Sequence, residues 1–422
     1  MSEVGYINVA KKLNTDLRIP VFPNLVVIPK SDTPLDRSQE KRRLRKHAIL
    51  GVVREHGPIS RSDIAKILRF NVPHTSELVE ELVREGLAVE EPPRVIPRGR
   101  WPIPVRLVQD AASVIGIDIG KSATIAVAVD LGGHLLARVE EPTPQLSSAE
   151  EYCAWLEHVI CTLVQTCGER LHPVAGVGLA LPGLVISASS TGNSTSALST
   201  TLARWIEDVV GVPAIVENDA RMMAYGWYWF GAGRESTSFA VINVGYGLGL
   251  GLYLDGRIYT GKQGFAGELG YVPAGEPNVE GFLVCPDALE NTASGAGILR
   301  LAKRAGLNAQ DAREVAEMAR RGDSVARHVF DEFSKALGKA IATVVNLFDL
   351  ETIVLSGRVC RAQDLFFEKA LAAARRHALE PILSNTEIVI SHLDVDLGPL
   401  GAAGAVFHRI FETSHITMDH VL

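Results

Sequence analysis

The sequence has few cysteines and no apolar run that approaches the roughly 20 residues needed to span a membrane. Its five cysteines among 422 residues form no Cys-x-x-Cys pair, which argues against a disulfide framework and a cysteine-rich zinc site. The N-terminus lacks a signal-peptide pattern, because Lys11, Lys12 and Asp16 interrupt it. These absences predict a cytoplasmic protein without a membrane partner.

The chain as a whole also lacks the net positive charge that is common in nucleic-acid binders, since its formal charge is −7. The charges are unevenly distributed, however. Residues 36–100 contain 14 Lys and Arg against 10 Asp and Glu, a net of +4, whereas residues 101–422 carry −12. A basic front segment joined to an acidic body indicates two separate tasks.

The basic segment has the pattern of three helices followed by two short strands. Apolar residues recur at helical spacing, Ser60 is a suitable N-cap for the second helix, and Gly86 ends the third. This order predicts a winged helix-turn-helix domain over residues 36–110, preceded by an N-terminal extension over 1–35. A small solvated helical bundle with a Pro-rich linker is the alternative.

The DNA contacts expected of such a domain lie in three places. The start of the third helix would reach base edges in the major groove, and an arginine hairpin suits the narrow minor groove of A·T-rich DNA. A basic run over residues 41–46 would face phosphates. The predicted contacts are His74, Thr75 and Ser76 in the helix, Arg98 and Arg100 in the hairpin, and Arg42 and Arg43 in the basic run. The third helix also carries four glutamates that must face away from DNA or weaken its binding: Glu77, Glu80, Glu81 and Glu85.

The acidic body contains two similar segments, residues 114–137 and 239–261. At a constant offset of 125 residues, Asp118, Gly120 and Asp130 correspond to Asn243, Gly245 and Asp255. Each segment reads as strand, glycine turn and strand, so the repeat predicts a duplicated lobe. Two facing glycine turns suit a phosphate chain, because backbone N–H groups can approach it closely. An ordinary pair of hairpins with structural glycines is the alternative.

Between the two segments, Asn218 and Asp219 stand at the end of an apolar strand and open a helix. A carboxylate in that place can act as a general base towards a hydroxyl, which the neighbouring amide can fix. N-capping of the helix is the ordinary role of such residues, and on the dipeptide alone it is the favoured interpretation.

Taken together, these stretches resemble the ROK family (repressors, open reading frames and sugar kinases), in its branch of sugar-responsive regulators related to xylose and N-acetylglucosamine repressors. The resemblance covers about residues 40–415, in the motifs RGRWP, IGIDIG, LPG, VENDA, WFGAGR, GYGLGLGLYLDGRIYTG, GELG and LENTASG. It implies a two-lobed, actin-like (ribonuclease-H-like) α/β fold. The first lobe would span 111–236, completed by a C-terminal helix over 402–415, and the second 237–401.

The resemblance also implies roles for individual residues. Asp219 would be the base that activates a sugar hydroxyl for attack on ATP, and Asn218 would bind a sugar hydroxyl. The other sugar-binding residues implied are Gly183 of the LPG motif, Glu268, Tyr271 and Glu290. Nucleotide phosphates would meet Asp118, Gly120 and Ser122 in one turn, and Gly245 and Gly247 in the other.

The sequence departs from the family pattern at the positions that bind zinc. Tyr271 replaces the usual His, and the three expected cysteines are Gly281, Leu283 and Ala288, with Cys285 out of register. A tetrahedral zinc site needs those ligands, so no metal is expected.

The nucleotide side departs as well. Tyr246 replaces Thr in the Gly-Thr-Gly turn, and Arg358 stands where a glycine beside the adenosine is expected. These changes argue against ATP–Mg²⁺ binding, so no cofactor is expected, although Asp118 remains able to orient Mg²⁺ through water.

These features predict a DNA-binding regulator, by family tendency a repressor, whose partners are operator DNA and a sugar or sugar-phosphate effector. A homodimer or homotetramer is expected, because it would place two helices on half-sites about one DNA turn apart. The alternative is an ATP-dependent sugar kinase with an appended DNA-binding domain, since Asp219 and the first phosphate turn are retained. A scaffold with an inactive pocket is a third hypothesis, which the retained acidic residues disfavour.

Overall fold

A computed structural model of the chain describes residues 19–22, 25, 37–92, 95–96, 99–100, 103–183, 194–274, 285 and 287–411. These residues divide into two compact units. The first lies within Met1–Leu179, Ala197–Val216 and Ala402–Leu422, and the second within Ala180–Ser196 and Glu217–Gly401. Within this described part, no helix combines the length and apolarity that crossing a membrane requires.

The first unit begins with three helices: α1 (Arg37–His56), α2 (Arg61–Leu68) and α3 (Val72–Arg84). Ser60 caps α2, because its hydroxyl accepts a hydrogen bond from the Asp63 amide at 3.1 Å. Asn71 caps α3 in the same way, through the His74 amide at 2.8 Å. Between the two caps, Arg69 takes a left-handed conformation with φ 56°. Helices α2 and α3 are therefore joined by a tight turn.

A short strand, β1 (Ile59–Ser60), lies between α1 and α2 in the chain. Four more follow α3: β2 (Ala88–Glu90), β3 (Val95–Ile96), β4 (Gly99–Arg100) and β5 (Pro104–Leu107). Strands β1, β5 and β2 form an antiparallel sheet in that order. Strands β3 and β4 form a separate hairpin between β2 and β5 in the chain. Ile64, Leu78 and Leu82 are fully buried and provide the apolar centre of this part.

The next sheet has five strands: β6 (Ser113–Ile119), β7 (Thr124–Asp130), β8 (Leu135–Glu141), β9 (Val174–Leu181) and β10 (Ala214–Asn218). Its strand order is β10-β9-β6-β7-β8. Two helices accompany it, α4 (Ala149–Cys167) and α5 (Ser194–Val210). A reciprocal capping box between Ser148 and Glu151 begins α4.

The second unit contains the other five-stranded sheet: β11 (Phe239–Val244), β12 (Leu248–Leu254), β13 (Arg257–Ile258), β14 (Thr352–Ser356) and β15 (Glu387–Ile390). Its helices in chain order are α6 (Asp219–Phe230), α7 (Gly295–Arg304), α8 (Ala312–Arg320), α9 (Ser324–Phe348), α10 (Gln363–Ala374) and α11 (Glu380–Leu383). The last helix, α12 (Leu397–Phe411), begins in the second unit and from Ala402 onwards belongs to the first. Phe330, Phe333 and Phe366 meet edge to face in the apolar core of the second unit.

The two large sheets have the same topology. The order β15-β14-β11-β12-β13 repeats the order β10-β9-β6-β7-β8, strand for strand. In each, an antiparallel pair joined by a glycine turn lies at the centre, with Asp118 in β6 matching Asn243 in β11. This repetition supports the duplication that the constant sequence offset predicts.

Within the first unit, α1 packs against the end of α12. The Nδ1 atom of His47 lies 2.7 Å from the Ile410 carbonyl oxygen. The Arg54 guanidinium stacks over the Phe407 and Phe411 rings, 5.3 and 5.0 Å from their centroids. The first helix of the chain and its last helix are thus held together by specific polar and aromatic contacts.

Candidate functional site

Asn218 and Asp219 lie at the junction of β10 and α6. The Asn218 Oδ1 atom accepts hydrogen bonds from the amides of Ala220 at 3.0 Å and Arg221 at 3.3 Å, so the capping interpretation is confirmed for Asn218. Its Nδ2 atom donates to the Gly183 carbonyl at 2.9 Å. Because an amide nitrogen carries two hydrogens, Asn218 can bond both the Gly183 carbonyl and the Asp219 carboxylate.

Asp219 accepts hydrogen bonds from the Ala220 backbone and from the side chains of Asn218 and Asn243, and the N-cap of α6 is Asn218. Oδ1 accepts the Ala220 amide at 2.8 Å, and Oδ2 accepts Nδ2 of Asn243 at 3.1 Å. Burial raises the pKa of Asp219 to about 6, against the lowering effect of these bonds and of Arg221. A carboxyl group with that pKa suits proton exchange near neutral pH and accepts hydroxyl hydrogens when ionised. The supporting role of Asn243 was not predicted from the sequence.

Glu290 reaches the start of β12. Its Oε2 atom accepts the Leu248 amide at 2.8 Å. A Cβ atom on Gly247 would lie 2.7 Å from this oxygen, and one on Gly270 would lie 2.9 Å from it. A larger residue at position 247 would displace the carboxylate, and one at position 270 would also meet the Leu248 carbonyl at 2.9 Å.

The loop that carries Glu290 is ordered by backbone hydrogen bonds. The Leu289 amide donates to the Val272 carbonyl at 2.9 Å, and the Ala274 amide to the Asp287 carbonyl at 2.7 Å. The short 3-10 helix Leu289–Asn291 follows directly. Pairing with residues 272–274 thus fixes the position of Glu290.

The zinc site typical of the family does not fit the residues present. Positions 281 and 283 lie outside the described residues, but their glycine and leucine side chains offer no ligand atom. Ala288 is buried, and its backbone forms an isolated β-bridge with Pro273. The Cys285 carbonyl accepts Nδ2 of Asn291 at 2.6 Å.

Glu268 and Arg221 are two further charged residues that interact with Asp219. Burial raises the pKa of Glu268, the carboxylates of Asp219 and Glu290 raise it further, and Arg221 opposes them. Arg221 is 2% exposed and donates to Glu217 Oε1 at 2.5 Å and to the Gly264 carbonyl at 2.9 Å. An arginine two residues after Asp219 on a buried helix face was the signal for this residue, and the sequence analysis missed it.

The structure therefore places the carboxyl groups of Asp219 and Glu290 each within electrostatic reach of Glu268 in the second unit. Tyr271 follows the loop of Glu268 and is 49% exposed. Three carboxyl groups with an exposed aromatic ring can accept hydrogen bonds from vicinal hydroxyls, as a polyol requires.

The two glycine turns are each part of a different unit. In the first unit, Asp118, Gly120 and Ser122 lie at the β6–β7 connection, where the Gly120 amide donates to the Ala123 carbonyl at 3.1 Å. In the second unit, the Gly245 amide donates across its turn to the Gly247 carbonyl at 3.1 Å.

The structure of the front helices contradicts the predicted DNA contact of Thr75. Thr75 is fully buried, and its hydroxyl donates to the Asn71 carbonyl at 3.0 Å, because its position in α3 faces the domain interior. It cannot contact a base in this conformation. His74 lies 3.1 Å from Arg45 Nη1, and Ser76 is half-buried.

The three glutamates of α3 and Glu85, its C-cap, are all ion-paired. Arg42 pairs with Glu77 at 2.5 Å and also with Glu81. Lys46 pairs with Glu85 and lies 3.6 Å from Glu81, while Arg61 pairs with Glu80 at 3.0 Å. The expectation that Arg42 faces phosphates therefore needs correction, because its guanidinium is directed to glutamates. The hydrogen bond from Arg42 lowers the pKa of Glu81.

The other predicted arginines differ in their surroundings. Arg43 is half-buried and, with Leu50 and Leu82, lines a cavity of about 330 Å³ inside the first unit. Burial lowers its pKa, and its contact with phosphates stays a prediction. Arg100 lies in β4 opposite Val95, and Arg98 is outside the described residues.

Comparison with known proteins places these features in context. The model of the ROK family matches residues 114–409. The DNA-binding transcriptional dual regulator NagC of Escherichia coli is 26% identical over 365 residues, covering 84% of this chain and 90% of its own. The xylose repressor of Caldicellulosiruptor bescii is 24% identical, covering 83% and 92%. A crystal structure of a ROK family transcriptional regulator, a homolog of the E. coli MLC protein, superposes with a TM-score of 0.74 at 23% identity, covering 90% and 99%.

Proposed function

Because the chain belongs to the ROK family, we propose that it is a DNA-binding transcription regulator, acting as a repressor, whose ROK domain binds a sugar effector. One observation carries the proposal. The same chain contains a pair of capped helices joined by a tight turn and, separately, three carboxyl groups gathered around the start of β12. Relatives that match over more than four-fifths of the chain are named as regulators.

The DNA-binding part is a winged helix-turn-helix with α3 as its recognition helix. In that motif the N-terminal residues of the second helix reach base edges in the major groove. Val72, 48% exposed, and Ser76 lie on the first turns of α3 and supply an apolar and a hydroxyl contact there. The β3–β4 hairpin, with Arg98 and Arg100, is the wing that enters the minor groove.

The effector-binding part is the group of carboxyl groups in the second unit. Asp219, Glu268 and Glu290 accept hydroxyl hydrogens of the sugar, and Asn218, which bonds Gly183 and Asp219, lies beside them to bind a further hydroxyl. No metal or nucleotide is required. A sugar that prefers one conformation of the protein changes the affinity for DNA by its differential affinity.

A homodimer is the assembly that fits this role best. Two copies of α3, related by a twofold axis, would contact half-sites about 34–36 Å apart, one turn of DNA. The operator is then expected to be an inverted repeat.

The test begins with selection of duplexes from a random library by the full chain. The enriched duplex is titrated by fluorescence anisotropy with and without a panel of sugars and sugar phosphates. We expect an inverted repeat to be enriched and one sugar to change its affinity at least fivefold. Glu290→Gln should weaken the sugar response, whereas Glu332→Gln, which breaks a surface pair with Lys335, should not. Failure to enrich any duplex would overturn the DNA-binding assignment, and indifference to every sugar would overturn the effector assignment.

A sugar kinase is the second candidate, because Asp219 has the pKa of about 6 that suits a general base. A coupled assay of ADP release across hexoses, amino sugars and pentoses decides this point. Turnover that disappears in Asp219→Asn would support the kinase, and absence of ATP binding by calorimetry would exclude it.

A further inference from the structure

Asn243 connects the carboxyl groups to the glycine turns that follow β11 and β14. Its Nδ2 atom donates to Asp219 Oδ2 at 3.1 Å. Its Oδ1 atom lies at the turns: a Cβ on Gly357 would be 2.6 Å from it, and one on Gly245 would be 3.2 Å away. Asn243 is only 8% exposed, and Oδ1 accepts no hydrogen bond from any residue that the structure describes. A buried acceptor in this state favours a ligand that brings a donor.

The orientation of this amide follows from Asp219. An ionised carboxylate only accepts hydrogen bonds, so the amide must turn its NH₂ group towards Asp219. Rotating the amide by half a turn would bring two acceptor oxygens together. The carbonyl oxygen of Asn243 therefore faces Gly245 and Gly357.

Backbone donors beside the same turn are already used within the protein. The Gly245 amide donates to the Gly247 carbonyl at 3.1 Å. At the start of α7, the Gly295 amide donates to the Gly245 carbonyl at 2.8 Å and the Ala296 amide to the Tyr246 carbonyl at 3.0 Å. A phosphate group is stabilised by backbone N–H groups directed at it, as at an open helix N-terminus. These three amides are therefore not available to a phosphate oxygen, whereas Asn243 Oδ1 can accept a hydrogen bond from a hydroxyl.

Two exposed tyrosines are chain neighbours of the glycines that lie against the Glu290 carboxylate. Tyr246, 57% exposed, precedes Gly247, and Tyr271, 49% exposed, follows Gly270. Both glycines approach the same oxygen of Glu290. The faces of aromatic rings carry partial negative charge and pack against the polarised C–H faces of sugar rings. Position 246 stands in the chain between Gly245, which lies near Asn243 Oδ1, and Gly247, which lies against Glu290, so its large exposed ring offers a stacking surface beside both.

We propose that the effector is a saccharide of at least two rings rather than a monosaccharide phosphate. One ring is bound through its hydroxyls by Asp219, Glu268 and Glu290. The next ring stacks on Tyr246 and donates a hydroxyl hydrogen to Asn243 Oδ1. This inference rests on the proposed sugar-binding function, because it names the ligand class of the same group of residues.

The experiment is calorimetry on the full chain with matched ligands. Glucose is compared with maltose, cellobiose and gentiobiose, xylose with xylobiose, and N-acetylglucosamine with its β-1,4 dimer, and each hexose also with its 6-phosphate. We expect one disaccharide to bind at least tenfold more tightly than its own monosaccharide, and the 6-phosphate to bind more weakly than the unphosphorylated sugar.

Variants of Tyr246 assign the effect to the second ring. Tyr246→Ala should reduce the ratio of disaccharide to monosaccharide affinity at least fivefold, whereas Tyr246→Phe, which keeps the ring, should preserve it. Tyr259→Ala is the matched control, since Tyr259 is 47% exposed and lies beside Leu252, further along β12. Melting curves verify that each variant is folded.

The possible failures are distinguishable. If a monosaccharide binds as tightly as every disaccharide, or a 6-phosphate binds most tightly, this inference is wrong while the sugar-responsive function stands. If none of the saccharides or phosphates binds, the effector assignment itself fails. An unchanged affinity ratio in Tyr246→Ala would also overturn the stacking role.

Discussion

Gly51 in α1 lies directly against the backbone of Phe411 at the end of α12. A Cβ atom at position 51 would be 2.3 Å from the Phe411 carbonyl oxygen. This carbonyl belongs to the backbone and cannot move aside without displacing the helix. Gly51 therefore sets how closely the first helix approaches the last turn of α12.

Replacing Gly51 by alanine tests this contact against helix propensity. Alanine in a helix interior is favoured over glycine by roughly 0.5–1 kcal/mol, whereas overpacking costs roughly 1–3 kcal/mol. We expect Gly51→Ala to lower the melting temperature in differential scanning calorimetry. Glu55→Ala, at an exposed position of the same helix, should leave it nearly unchanged. An increase for Gly51→Ala would show that α1 and α12 are not closely packed.

His47 makes the same contact sensitive to pH. Burial lowers its pKa to about 4, with smaller contributions from the charges of Arg43 and Lys46. The folded pKa lies below the unfolded value of about 6.5, so the unfolded state binds more protons in this interval. The stabilising contribution is present above pH 6.5 and is lost as the pH falls towards 4.

We therefore expect His47→Leu to lose roughly 1–3 kcal/mol of unfolding free energy at pH 7.5, because the Ile410 carbonyl is left unpaired. The difference from the wild type should shrink at pH 4.5, as urea denaturation at both pH values would measure. The exposed His328→Leu should show no such change. A constant difference at the two pH values would contradict the buried neutral imidazole.

Ionisation of Asp219 is expected to lower the stability of the fold and to strengthen sugar binding. Its folded pKa of about 6 lies above the ordinary value of 3.8, so the folded state binds more protons between these values, and stability falls as the pH rises through them. Asp219→Asn should raise the melting temperature by roughly 2–4 °C at pH 7.5 and have little effect at pH 4.5, where both side chains are neutral.

The same variant should weaken sugar binding at least tenfold at pH 7.5, since an uncharged amide is a poorer acceptor for hydroxyl hydrogens. Wild-type affinity should increase from pH 5 to pH 7.5 as Asp219 ionises. Asp110→Asn, at an exposed position, is the control for both measurements. Equal affinity for sugar in the wild type and Asp219→Asn would remove Asp219 from the binding residues.

The ion pairs of α3 predict a gain of DNA affinity by mutation. Glu77 and Glu81 direct the Arg42 guanidinium away from phosphates. The double replacement of both by glutamine should strengthen binding to a random-sequence duplex by roughly 3–10-fold and steepen the salt dependence by about one phosphate contact. Fluorescence anisotropy at several salt concentrations measures both effects.

Glu332→Gln is the matched control, because it also removes a paired negative charge but lies in α9 of the second unit. If the double variant and this control bind DNA equally, the glutamates of α3 do not limit the approach of phosphates.

Short local patterns were sufficient to predict helices, caps and the repeated sheet. Ser60 was predicted as the cap of α2 and fulfils that role, because a hydroxyl one residue before a helix finds its partner three residues away. The constant offset between Asp118 and Asn243 predicted two related sheets, and their strand orders agree. Such features depend on short stretches or on repeats, both of which are visible in one sequence.

The tertiary structure decided which partners these side chains meet. Thr75 was expected to contact DNA, but the packing of α3 turns it inward. The bonds of Asn243 to Asp219 and of Arg42 to Glu77 and Glu81 join residues 24 or more positions apart. Chemistry of the residues alone predicted an acidic, hydroxyl-binding protein with a basic front. Only the folded chain could assign the partners, because hydrogen bonds and ion pairs depend on ångström-scale distances between separate segments.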